Sequence, residues 1–336
     1  MNQKPVKLDF KDRKILMELD IGARQSASTI AKKVRLSKDV VNYRIRRMES
    51  LGVIKGYYTV LDVSKLGYYN FRVFLKFYNV TPEKEKEIMD YLNGHPRVGW
   101  LVSVDTHWDA NMLVWAENMY VFRRFWNDFL KLYKNYLEEK WISIITEMVL
   151  FTRGFMLEEG EKYEPNKQVV GGSEEVADID DADYRILNVI ASNARTPIIE
   201  IAEKTKLSAK VVEYRIKKMV EKKVILGFKL LPNLDLLGVS YYKVHLTLQN
   251  MTKAKEHELM TYAEMHPNIY IVDVTVGGAD FEIELLVKNI QQFRGIIEDI
   301  KRRFSGIVRN LESFNYYKEY KWVYIPVDVK EKSHSM

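Results

Sequence analysis

The chain has 336 residues, more than one ordinary domain holds, and its 47% hydrophobic content is that of a protein that buries a core. It contains no cysteine, which excludes disulfides, thiolate zinc sites and a cysteine nucleophile, and its net charge of +6 favours an anionic partner only weakly. No apolar run has the length of a membrane span, and Met1 to Lys7 lacks the apolar core of a secretory signal, so a cytoplasmic protein without membrane contact is expected. The six histidines (His95, His107, His245, His257, His266 and His334) show no metal-ligand spacing, so no metal and no cofactor is expected.

From the N-terminus, Ile15, Leu16 and Leu19, then Ile30, Ala31 and Val34, then Val41, Ile45 and Met48 form three stripes at helical spacing. Leu36 falls in the turn before the third helix, Ser37 is placed to cap that helix, and Gly52 ends it. Residues 53–58 then read as a strand or wing, so residues 8–60 form a helix-turn-helix unit. Over 66–156 the pattern alternates: a strand with Phe71, Val73, Leu75 and Phe77; a helix from Pro82 to Asn93; strands at Val98 to Val104 and Met112 to Trp115. A helix with Phe122, Phe125, Trp126 and Phe129 and a last strand from Ile142 to Phe151 complete it. The order βαββαβ is the ferredoxin-like plan, and its aromatic stripes read as core. Residues 157–177, with Pro165, Gly171, Gly172 and charged ends, read as a flexible linker.

The whole pattern then repeats at a constant offset of 171 residues. Asp9, Ile15, Arg24, Ala31, Ser37, Tyr43, Met48 and Gly56 recur as Asp180, Ile186, Arg195, Ala202, Ser208, Tyr214, Met219 and Gly227. Leu66-Gly67, His95-Pro96 and Asp109 recur as Leu237-Gly238, His266-Pro267 and Asp280. Chance similarity does not hold one register over more than a hundred residues, so the chain is a tandem duplication. The fold class is α+β: two copies of a winged helix-turn-helix plus a ferredoxin-like βαββαβ domain, the second copy covering 178–231 and 237–327.

Positive charge concentrates on the third helix and the turn before it. With Val41, Ile45 and Met48 inward, Arg35, Ser37, Lys38, Asn42, Tyr43, Arg46 and Arg47 are the candidates to meet DNA. The cations suit phosphates, and Asn42 and Arg46 are types that read base edges in the major groove. The second copy offers Lys210, Tyr214, Lys217 and Lys218, but Glu213 replaces Asn42 and Glu203 replaces Lys32, so the two readers are unequal.

Asp9 to Tyr57, with Asp-x-x-Asp-x-x-Ile-Leu, Ala-Arg, Ile-Ala, Leu-Ser, Arg-Ile-x-x-Met and Gly-Val-Ile-x-Gly-Tyr, resembles the Lrp/AsnC, or feast/famine, transcription regulators. The resemblance covers nearly the whole chain twice and is similar to fused archaeal forms. It implies recognition of double-stranded DNA, a homodimer or higher oligomer through the ferredoxin-like domains, contact with the basal transcription machinery, and control by an amino acid or other small effector. The family's ligand turn maps to Val276 to Asp280, so Gly277, Gly278 and Asp280 are the effector candidates, while His107 and Trp108 stand in that turn in the first copy. The expectation is therefore a DNA-biased first copy and a ligand-biased second copy, with no enzymatic role. One alternative is a siroheme decarboxylase-like enzyme, with His95 or His107 as proton donor beside Arg153 or Arg123. Another is a ligand-sensing scaffold with vestigial helix-turn-helix units.

Overall fold

A computed structural model of the chain describes residues 4–157, 161–323 and 325–326. Tyr324, position 327 of the second domain, His334 and part of the expected linker lie outside the described residues. The first helix-turn-helix consists of α1 (Phe10–Ile21), α2 (Ala27–Val34) and α3 (Lys38–Ser50). Each start has a local cause: Asp9 and Asp12 form a reciprocal capping box on α1, Ser26 caps α2, and Ser37 Oγ accepts from Val40 N at 3.3 Å. The apolar stripes read from the sequence are all buried here, in one core that spans both helix-turn-helix units.

Strand β1 (Ile54–Leu61) follows, then β2 (Tyr69–Phe77), α4 (Pro82–Gly94), β3 (Val98–Asp105), β4 (Ala110–Ala116), α5 (Met119–Tyr133) and β5 (Leu137–Leu150). The segment between the copies contains β6 (Gln168–Gly171). The second copy has α6 (Asp181–Ala191), α7 (Ile198–Thr205), α8 (Ala209–Glu221), β7 (Ile225–Pro232), β8 (Ser240–Leu248), α9 (Lys253–Met265), β9 (Ile269–Val276), β10 (Phe281–Val287), α10 (Ile290–Arg303) and β11 (Val308–Trp322).

Three features differ from the sequence expectation. The strand after each helix-turn-helix is not a wing of its own unit: β1 pairs antiparallel with β7 of the other copy, from Ile54↔Pro232 to Leu61↔Ile225. Such a two-stranded ribbon satisfies, within the chain, backbone groups that a lone strand would leave exposed. Part of the stretch expected to be a flexible linker also packs, with β6 extending the sheet along β5 from Glu147↔Gly171 to Leu150↔Gln168. Gly171 sits in the left-handed region (φ +89°), and its N–H donates to Asp62 at 3.0 Å.

The third feature concerns the two ferredoxin-like sheets, which join edge to edge. Strand β5 pairs with both β2 and β9, and β11 pairs with both β8 and β3. The ring β2-β4-β3-β11-β8-β10-β9-β5 closes on itself, so domain pairing through these edges is completed inside one chain. Helices α4 and α5 cover one outer face and α9 and α10 the other, each over its own core. The interior of the ring is aromatic at one end, where Phe74, Trp108 and Phe314 cluster. Its middle is ionic: Arg72 Nη2 donates to Asp273 at 2.6 Å, and Lys243 Nζ bonds Asp273 and lies 2.9 Å from Glu282 and 3.3 Å from Glu284. Arg72 and Lys243 occupy the same position in the two copies, whereas all three carboxylates come from the second.

Candidate nucleic-acid interface

The third helix of each unit follows a left-handed residue, Arg35 (φ 56°) in one copy and Lys206 (φ 58°) in the other. That turn aims α3 and α8 with their apolar sides inward. On α3, Lys38, Tyr43 and Arg46 are exposed and Asn42 is half-buried; Tyr43 shows 67% of its surface. Arg35 and Ser37 are exposed beside them. Among the described residues Arg46 forms no ion pair, so its fork is free to meet phosphate or guanine.

Not every cation of the helix is available. Arg44 Nη1 donates to Asp9 at 2.7 Å and to Asp12 at 2.8 Å, and Arg47 Nη1 donates to Asp12 at 3.1 Å. Asp12 is buried, with 1% of its surface exposed, so both arginines clamp α3 to α1. Arg47, expected at the DNA, is thus partly engaged within the unit. The same clamp recurs as Arg215 on Asp180 and Asp183, at 2.8 and 3.0 Å. Its signal in the sequence was present twice: a capping-box aspartate pair with an arginine 35 and 32 residues on.

In the second unit Lys210, Tyr214 and Lys217 are exposed on α8. Lys218 donates to Glu221 at 2.9 Å, and Glu213 lies exposed among them. A further asymmetry escaped sequence reasoning. The first turn of α2 presents Ser26, Ser28 and Thr29, hydroxyls at a helix N-terminus that suit a phosphate, whereas α7 begins with Pro197, Ile199 and Glu200. All three observations make the first unit the better polyanion surface.

At the proposed effector turn, Gly277 has φ +79° and its carbonyl accepts from Trp141 Nε1 at 2.6 Å. A side chain on Gly278 would run into Thr275 and Glu282. Asp280 accepts from Leu248 N at 2.6 Å, just as Asp109 accepts from Phe77 N at 2.6 Å in the first copy. Trp108 turns inward against Phe74. The pairs invoked for catalysis are not brought together. Arg153 bonds Asp20, Tyr58, Tyr270 and the carbonyl of Leu230; His95 packs on Phe125; and exposed His107 lies 3.2 Å from Glu139.

Residues 8–49 match the AsnC-type helix-turn-helix domain, and residues 179–225 match a winged helix-turn-helix DNA-binding domain. The regulator LysM of Sulfurisphaera tokodaii is 40% identical over 139 residues, covering 40% of this chain and 91% of that protein. This chain belongs to the Lrp/AsnC family of transcription regulators. The proline dehydrogenase transcriptional activator of Rhodobacter capsulatus is 32% identical over 123 residues, covering 35% of this chain and 78% of that protein. Each of these relatives matches well under half of the chain, as the duplication requires of single-copy relatives in the family. Over the full length, the solved structure of siroheme decarboxylase NirDL superposes with a TM-score of 0.61 at 13% identity, covering 97% of this chain and all of that one. At that identity the likeness is one of fold. No helix among the described residues is long and apolar enough to cross a membrane.

Proposed function

We propose that the chain is a sequence-specific regulator of double-stranded DNA in which the first helix-turn-helix is the principal reader and the second a weaker, differently tuned one. The observation that carries this reading is the free face of α3: Lys38, Tyr43 and Arg46 point outward from a helix that Arg44 and Arg47 hold in place. Lys38 and Arg46 supply phosphate contacts, and Asn42 and Arg46 are the base-reading types on the same helix. Since one chain carries both units, a single chain is expected to recognise an asymmetric site. Control by a small ligand is part of the proposal, and the family-like turn at Gly277 to Asp280 is largely engaged by Trp141 and Leu248. A decarboxylase reading has only fold likeness behind it.

The test is binding of the full chain to its upstream DNA at several salt concentrations. Arg46→Ala is expected to weaken binding by about 1–3 kcal/mol and to lower the salt slope by about one. Unchanged affinity and slope would remove α3 as the reader.

A further inference from the structure

The β1–β7 ribbon relates the two DNA-reading units by a local two-fold axis. Tyr58 pairs with Lys229, the same position of the other copy, and Tyr57↔Leu230 and Thr59↔Phe228 flank that pair evenly. Phe228 and Leu230 are themselves the counterparts of Tyr57 and Thr59 at the 171-residue offset. Two-fold-related readers meet the two arms of an inverted repeat. A difference between the arms therefore comes from residues that differ between α3 and α8.

The two helices start alike. Each has 13 residues, and Ser37 and Ser208 accept from Val40 N and Val211 N at 3.3 Å. On α3 the row opposite the buried Val41, Ile45 and Met48 is Asp39, Tyr43, Arg46 and Ser50, at i, i+4, i+7 and i+11. On α8 the corresponding row is Lys210, Tyr214, Lys217 and Glu221, opposite Val212 and Met219. All of these row residues are exposed. Tyrosine is common to both rows, and Arg46 and Lys217 carry one sign. Glu221, at the far end, is paired with Lys218 at 2.9 Å. The first position is acidic in one copy and basic in the other.

Residues 39 and 210 lie in the first helical turn, the part of a recognition helix that comes nearest the base edges. Among the described residues no ion pair engages Asp39 or Lys210. The helix dipole favours an aspartate in a first turn and by itself would account for Asp39. A lysine there opposes the dipole, so Lys210 does not serve the stability of α8. In the major groove cytosine presents its N4 amino donor, and guanine its O6 and N7 acceptors. A carboxylate, which only accepts, suits the cytosine; an ammonium, which only donates, suits the guanine.

We propose that Asp39 and Lys210 make the bound site asymmetric at one base pair. Both read a G·C pair at the equivalent step of the two arms, but Asp39 takes the cytosine where Lys210 takes the guanine. The pair therefore stands in opposite orientations in the two arms, while Tyr43 and Tyr214 meet equivalent steps. This assignment rests on the regulator reading above and adds to it the identity of a base pair.

The test uses the full chain on a library of randomised double-stranded DNA, selected for binding and sequenced. With both arms read in the same sense, the expected consensus is an inverted repeat with cytosine at this step in one arm and guanine in the other. A duplex of the consensus is then compared, at one salt concentration, with a duplex in which the first arm's C·G pair is inverted. The parent is expected to bind the inverted duplex about five- to a hundredfold more weakly. Asp39→Lys is expected to reverse that preference, and Lys210→Asp to do so for the pair in the second arm.

The ratio between the two duplexes is the readout. An added lysine strengthens binding to any DNA through the phosphates, and that gain cancels between duplexes of equal length and composition. A parent ratio near one, or the same ratio in Asp39→Lys as in the parent, would overturn the assignment and leave α3 standing as a reader. No enriched sequence at all would remove the regulator reading and the assignment together.

Discussion

Arg24 and Arg195, the same residue of the two copies, reach across to each other's unit. Arg24 Nη1 donates to the Ala194 carbonyl at 2.6 Å, and Arg195 Nη1 donates to the Ala23 carbonyl at 2.6 Å. Each guanidinium also lies over an aromatic ring on a ribbon strand, Phe228 for Arg24 and Tyr57 for Arg195. The clasp sets how the two DNA-reading units sit side by side. Charged hydrogen bonds of this kind contribute about 1.5–3 kcal/mol, so Arg24→Ala is expected to lower stability by about 2 kcal/mol in urea unfolding. The double variant with Arg195→Ala should fall short of additive, because the two share one interface; full additivity would show that the clasps act independently.

Asp20 and Arg153 tie the first helix-turn-helix to the sheet with no equivalent in the second copy, where Ala191 takes the place of Asp20. Arg153 N donates to Asp20 at 2.9 Å, and the buried Lys229 ammonium lies 3.5 Å from the same carboxylate. Burial works against the Asp20 charge, but Lys229 and Arg153 hold its carboxyl below the usual range. Asp20→Ala leaves two buried cations uncompensated and is expected to cost about 3–5 kcal/mol at neutral pH. A loss under 1 kcal/mol by denaturant titration would contradict this.

The Asp12 clamp separates folding from DNA reading on one helix. Arg44→Ala removes a partner of a buried carboxylate and is expected to lower the unfolding midpoint clearly. Arg46→Ala, exposed two residues on, is expected to stay within about 0.5 kcal/mol of the parent in stability while losing DNA affinity. Equal effects of both on stability would refute the division.

Lys223 has φ 57°, in the left-handed region, at the position where the first copy has Gly52 with φ +71°. Lys223 is exposed, so its side chain contributes little to offset the strain. Lys223→Gly is therefore expected to stabilise the protein by about 1 kcal/mol. A decrease in melting temperature would argue against stored strain there.

Burial, with Arg97 and Lys321 nearby, pushes the His95 imidazole down to about 4, and burial lowers His266 as well. The folded state thus takes up these protons at lower pH than the unfolded chain, whose histidines titrate near about 6.5. Stability is expected to be full above that pH and to decline as pH falls toward 4. His95→Asn keeps an acceptor for the Arg97 N–H, which His95 Nδ1 accepts at 3.2 Å, and should flatten the decline; urea midpoints across that range check it.

Much of the local architecture was legible before any coordinates. The stripes at Ile15, Ile30 and Val41, the cap at Ser37 and the βαββαβ order depend on neighbours a few residues apart, and each was found where the periodicity placed it. The free and engaged cations of α3 were not separable, because Arg44, Arg46 and Arg47 look alike until Asp12 is brought against two of them. Residues 157–177 read as linker because strand β6 is only four residues long and its residues, Gln-Val-Val-Gly, do not alternate apolar with polar.

Taken alone, the sequence determined the duplication, its 171-residue register and the imbalance between the two recognition helices, since those are properties of residue order and charge. Tertiary structure alone decided that β1 pairs with β7, that β11 closes on β3 and β5 on β9, and that Arg72 faces carboxylates of the other copy. A strand's alternation says which side chains point inward, but not which distant edge will satisfy its backbone. The partner of a buried charge is chosen only when the sheet closes around it.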